Sequence, residues 1–151
     1  MLRDSINSNL KDAMKAGDKP RVATLRLVNA AIKNADIEAR GSGKEALADD
    51  ALLGLLQKMI KQRQESAELY DKGGRPELAT QEREEIEIIS SYLPKQMSDL
   101  EAGSVIQSLV HEINAQGLKD MGRTMAALKE RFAGTMDFSK ASAMVKKLLS
   151  G

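Results

Sequence analysis

The stretch from Lys58 to Pro94, KMIKQRQESAELYDKGGRPELATQEREEIEIISSYLP, constrains the fold more than any other part of the chain. It reads as a basic helix, a tight Gly-Gly-Arg-Pro corner, an acidic helix and a proline stop. Gly73 and Gly74 can take the positive φ that ends a helix. Pro76 suits the first turn of the next helix, where a missing N–H costs nothing. Pro94 cannot continue that helix. The spacing predicts a helical hairpin with opposite charge on its two arms.

Around this hairpin the apolar periodicity predicts an all-α chain with no strands. It divides into a four-helix N-terminal subdomain (1–93) and a small three-helix C-terminal subdomain (94–151). Ile6, Leu10 and Met14 make a stripe on the first helix. Asp18, followed by Lys19-Pro20, is an N-cap with an early proline. The second helix presents Val22, Leu25, Val28, Ile32 and Ala35 on one face, and Gly41-Ser42-Gly43 ends it in a flexible loop. Asp49 or Asp50 caps the third helix, whose inward residues are Leu52, Leu56, Met59 or Ile60, Ala67 and Tyr70. The fourth turns Leu78, Ile86, Ile89 and Leu93 inward. After Pro94, Ser98-x-x-Glu101 is a capping box that opens a fifth helix with Val105, Leu109 and Ile113, stopped by Gly117. Asp120 caps a sixth helix carrying Met121, Met125, Leu128 and Phe132, and Gly134 ends it. Asp137 or Ser139 caps a seventh with Ala141, Val145, Leu148 and Leu149 inward.

Composition narrows the chemistry. There is no cysteine and one histidine, His111. Disulfides and thiolate metal sites are excluded, and multi-histidine metal sites and Ser-His-Asp triads are disfavoured. Four aromatics, Tyr70, Tyr92, Phe132 and Phe138, are too few for a base-stacking platform. No run approaches the roughly 18 apolar residues of a membrane span. The expectation is a cytoplasmic protein without membrane contact, cofactor, metal or catalytic residue. The carboxylate pairs Glu82/Glu85 and Glu84/Glu87 lie in a dense acidic run that reads as a solvated face. General acid–base work needs a pocket and a shifted pKa.

The near-neutral net charge of +1 hides local asymmetry. Residues 3–63 carry twelve Lys/Arg against eight Asp/Glu, 64–93 three against eight, and 119–151 seven against three. Arg26, Lys33 and Arg40 recur every seven residues with Asn29 between the first two, giving one basic helical face. That face either meets phosphates or is solvated and paired with Asp36 and nearby acids. Lys58, Gln62 and Glu65 share a face with Lys61 and Arg63 close by. This cluster either contacts a partner or pairs across the hairpin with Glu82, Glu84, Glu85 or Glu87. Gly122, in the first turn of its helix, suggests close approach of another backbone, from a neighbouring helix or a nucleic-acid strand. Lys119, Arg123 and Lys140 surround it in sequence, and a helix N-terminus suits phosphate.

KQRQES, Tyr70, GGRPEL, the Glu-rich run and YLPKQMS together resemble the GatB/YqeY family. The match continues upstream through Arg21, Leu25-Arg26-Leu27 and Lys33-Asn34. Downstream it takes in Asp120-Met121-Gly122, Met125, Gly134, Asp137, Ser142 and Val145-Lys146. The family includes the C-terminal tail of the GatB subunit of tRNA-dependent amidotransferase, and the resemblance implies a YqeY-like accessory module without its own catalytic site. It points to tRNA or another RNA as partner, or to an amidotransferase or synthetase. Lys119, Gly122, Arg123 and Lys140, then Arg26, Lys33 and Arg40, are the candidate RNA contacts. Two alternatives stand beside it. One is a helical protein–protein adaptor using the acidic arm, with Lys58, Gln62, Glu84 and Glu87 as its surface. The other is a partner-dependent component of a carbon–nitrogen ligase with glutamine as amido donor. The chain shows no kinase-like domain, amidase serine cluster or nucleotide loop.

Overall fold

The computed structural model describes residues 2–151. Among the described residues there are seven α-helices, one short 3-10 turn and no strand. Contacts divide the chain into a unit ending at Leu93 and a second unit, Pro94–Gly151. No helix among the described residues is long and apolar enough to cross a membrane.

The first unit holds α1 (Leu2–Ala16), α2 (Lys19–Gly41), α3 (Asp49–Lys72) and α4 (Pro76–Ser90). Asp18 caps α2 by accepting from the Arg21 N–H, as its place before Lys19-Pro20 predicts. At the hairpin corner only Gly74 takes a positive φ, +73°; Gly73 stays at −82°. Pro76 opens α4 at its first turn. Four helical faces then converge on one core: Ile6 from α1, Leu25, Val28 and Ile32 from α2, Leu52, Leu56 and Met59 from α3, and Ile89 from α4. Burying a side chain of this size contributes about 1.5–3 kcal/mol. Tyr92 and Leu93 pack on the same core, and Asn9 Nδ2 donates to the Tyr92 hydroxyl at 2.7 Å. The unit's ends in sequence are thereby joined.

Three expectations are corrected here. Met14 is 46% exposed, because α1 inserts Ile6 and Ala13 and lays only Leu2 and Leu10 beside them. Neither Asp49 nor Asp50 is the cap of α3. Ala48 holds that place with extended backbone and no side-chain bond. The two aspartates are already in the first turn, where their charge favours the helix dipole instead. Finally, α4 stops at Ser90 rather than Leu93, and Tyr92 and Leu93 close it with turn hydrogen bonds to Ile89 and Ser90.

The second unit holds α5 (Asp99–Glu112), the 3-10 turn Leu118–Asp120, α6 (Met121–Phe132) and α7 (Phe138–Ser150). The Ser98/Glu101 capping box forms in both directions. Asp137, not Ser139, caps α7, accepting from the N–H groups of Ser139 and Lys140. The core consists of Ala102, Ile106, Leu109, Leu128, Met136, Ala141, Val145 and Leu149. Leu148, expected inward, is 41% exposed. Ala141, Val145 and Leu149 already fill the buried stripe at steps of four. Gly117 does not stop α5. Asn114 does, at φ +55°, a conformation that asparagine tolerates better than other side chains.

Candidate functional site

The α6 entrance is built as a knot of short-range bonds. Asp120 precedes the helix but gives it no side-chain cap, contrary to expectation. Its carboxylate turns back, accepting from the N–H groups of Gln116 at 2.8 Å and Gly117 at 3.4 Å. The Gln116 bond comes first in holding its carboxyl below the usual aspartate range; burial opposes it, and Arg123 and then the Gly117 bond assist. Arg123 Nη2 lies 3.2 Å from Asp120 Oδ1, and Nη1 donates to the Ile113 carbonyl at 2.7 Å. One guanidinium thus neutralises Asp120 and satisfies a carbonyl at the C-terminal end of α5. Arg131 adds a second tie between these helices, to Glu112 at 2.7 Å.

Gly122 in this first turn is exposed, and a Cβ there would meet nothing within 4 Å. The close approach of a neighbouring helix backbone, expected from the glycine, is therefore absent. Gly122 faces open space, with exposed Lys119 one residue before Asp120 and no carboxylate within ion-pair distance of Lys119 among the described residues. Lys140 lies on α7 with a long, exposed contact of 3.9 Å to Asp99. Such a pair contributes little.

On α2, Arg26, Lys33 and Arg40 are all exposed. Asp36, the expected partner, is committed elsewhere. Its carboxylate takes a two-pronged grip from Arg3, at 2.5 and 2.7 Å, and the Leu47 N–H at 3.0 Å. Arg26 touches the Met14 sulfur at 3.6 Å, and Asn29 bonds Asn7 at 3.1 Å. Asn7, Asn29, Lys33, Ile37 and Arg40 line a shallow groove beside this row. Beyond the basic row with Asn29 that the spacing predicts, the outward face of α2 also carries Leu27 and Ile37, which are 47% and 56% exposed. Their four-and-three spacing with Ala23, Ala30 and Asn34 was the available signal.

The hairpin arms meet through two pairs of opposite charge. Arg63 bonds Glu85 at 2.8 Å with both side chains about 85% buried, since 15% and 16% remain accessible. Arg83 pairs with Asp71. Half-buried Glu82 has its carboxyl pushed up, first by desolvation and then by Glu85. Lys58, Gln62, Glu84 and Glu87 all stay on the surface. His111 is exposed as well. No cluster of three His, Asp or Glu among the described residues is arranged to hold a metal.

A family model described as Yqey-like protein matches residues 3–149. Altered inheritance of mitochondria protein 41, mitochondrial, of Lachancea thermotolerans is 36% identical over 111 residues, covering 72% of this chain and 58% of that protein. The protein of the same name in Pyrenophora tritici-repentis is 28% identical over 142 residues, covering 89% and 75%. In Clavispora lusitaniae the figures are 33% over 116 residues, covering 76% and 65%. The chain therefore spans under two thirds of the length of the Lachancea relative. With nearly every residue inside the family match, this chain belongs to the YqeY-like protein family.

Proposed function

We propose that this protein is a non-catalytic RNA-binding module, with tRNA as its ligand and a tRNA-dependent amidotransferase or synthetase as its setting. The observation that carries the reading is exposed Gly122 in the first turn of α6. The helix has no side-chain cap, Gly122 leaves room for a phosphate strand, and Lys119 stands free beside it. Helix N-termini favour phosphate through their N–H groups and partial positive charge. Lys140 supplies a second exposed cation in the same unit. Arg123 contributes charge, but its bonds to Asp120 and Ile113 also hold the turn in shape. Any carbon–nitrogen ligase chemistry would come from a partner's active site. The reading suits a cytoplasmic setting as well as the mitochondrial one in the relatives' names.

The test is salt-dependent binding of bulk tRNA. Lys119→Glu plus Lys140→Glu should weaken binding and flatten the slope of log K against log salt by about 0.7–0.9 per lost contact. Gly122→Ala should leave the helix as stable or raise its stability by up to about 1 kcal/mol, while weakening tRNA. Glu84→Gln plus Glu87→Gln should bind equally or better, since repulsion is removed. Absence of tRNA binding at low salt would move the assignment to the adaptor reading at Lys58, Gln62, Glu84 and Glu87.

A further inference from the structure

We propose that the outward face of α2 docks an acidic amphipathic helix of a partner protein. Ala23, Leu27, Ala30, Asn34 and Ile37 advance in alternating steps of four and three, the a/d spacing of a helix–helix seam. All five are exposed. At about 100° per residue they lie opposite Leu25, Val28 and Ile32, which enter the core. α2 is therefore apolar on two faces, and only one is covered within its unit. Ala23 before Leu27 and Ala30 after it are small enough to let a second helix come near. Asn34 sits where one polar residue fixes register at some cost in stability.

The charge beside the seam selects the partner. Arg26, Lys33 and Arg40 run along one edge at heptad spacing, in the flanking position from which charged residues reach a facing helix. No carboxylate of the described residues ion-pairs with any of them, and Asp36 is held by Arg3. A partner helix with Asp or Glu along its matching edge satisfies the row. From Ala23 to Ile37 the seam runs about 21 Å, so the partner needs about four turns. A second copy docked antiparallel would set basic row against basic row, which charge disfavours. An RNA strand would use the three cations but leave Leu27 and Ile37 in water. The apolar seam therefore favours a helix as occupant.

The probe is a synthetic helix of about four turns with Leu at its a and d positions and Glu along the flanking edges. Its control carries Lys in place of Glu. Fluorescence anisotropy with the full chain should show the acidic helix binding at least tenfold more tightly than the control. Leu27→Asp plus Ile37→Asp should abolish that binding, with circular dichroism unchanged because both sites are exposed. Arg26→Glu, Lys33→Glu and Arg40→Glu together should reverse the preference toward the Lys control. Equal binding of both helices, or acidic-helix binding unaffected by Leu27→Asp plus Ile37→Asp, overturns the proposal. So does a dimer of the chain itself that Leu27→Asp plus Ile37→Asp dissolves. The proposal also fails if the acidic helix does not bind and the triple charge reversal alone removes tRNA.

Discussion

Asp36 and Arg3 lie 33 residues apart, yet their bond joins α1, α2 and the loop before α3, because Arg3 Nη2 also donates to the Leu47 carbonyl at 2.6 Å. The Arg3 hydrogen bonds, then the Leu47 N–H, hold the Asp36 carboxyl at about 2. An unfolded aspartate titrates near 3.9. The folded pKa is the lower one, so the unfolded state binds a proton first as pH falls. The resulting stabilisation is complete above about pH 5 and is lost as pH falls through about 2. Thermal melts of the Asp36→Asn protein should show a lower Tm at neutral pH and a shallower decline between about pH 4 and 2. Parallel Tm–pH curves for the two proteins would reject this role. Sequence alone showed Asp36 on the side of Lys33 and Arg40 and could not show Arg3 arriving from another helix. Local spacing reveals neighbours within a helix, not the contacts that folding adds.

Among the elements, helix existence was legible throughout, since every apolar stripe at steps of three and four became a helix. Caps were legible where a side chain reaches its own next turn: Asp18, the Ser98/Glu101 pair and Asp137 all serve as expected. They were misread where backbone geometry decided, as at Ala48, Asn114 and Asp120. The outward face of α2 was half legible, because its cations drew notice and its two large apolar side chains did not. Ser98→Ala should destabilise the second unit by about 1 kcal/mol and leave the first unchanged, readable as urea unfolding of each unit. Between α3 and α4, Arg63 bonds both Glu85 and the Met59 carbonyl, at 2.8 and 3.1 Å. Arg63→Ala should cost about 2 kcal/mol, as charged hydrogen bonds of this kind do. A double-mutant cycle with Glu85→Gln should find the two losses smaller together than their sum. Additive losses would mean that the pair contributes nothing as a pair.

At the scale of the whole molecule, the two hydrophobic cores share no residue. Limited proteolysis should therefore cut first between about Leu93 and Leu100, or in the loop at 42–48 between α2 and α3. Early cuts within α3 or α6 would contradict this organisation. The hydrogen bond from Asn9 to Tyr92 has a further consequence for how the chain is made. The first unit cannot make its full set of contacts on the ribosome until Tyr92 and Leu93 have emerged, because both pack on the core that Ile6 enters. Pro94–Gly151 then follows at the pace of synthesis, only about 5–20 residues per second. Small helical bundles fold in microseconds to milliseconds, so the first unit waits, finished, for the second. Nascent chains arrested with Leu93 fully emerged should resist protease, and those arrested before Tyr92 emerges should not.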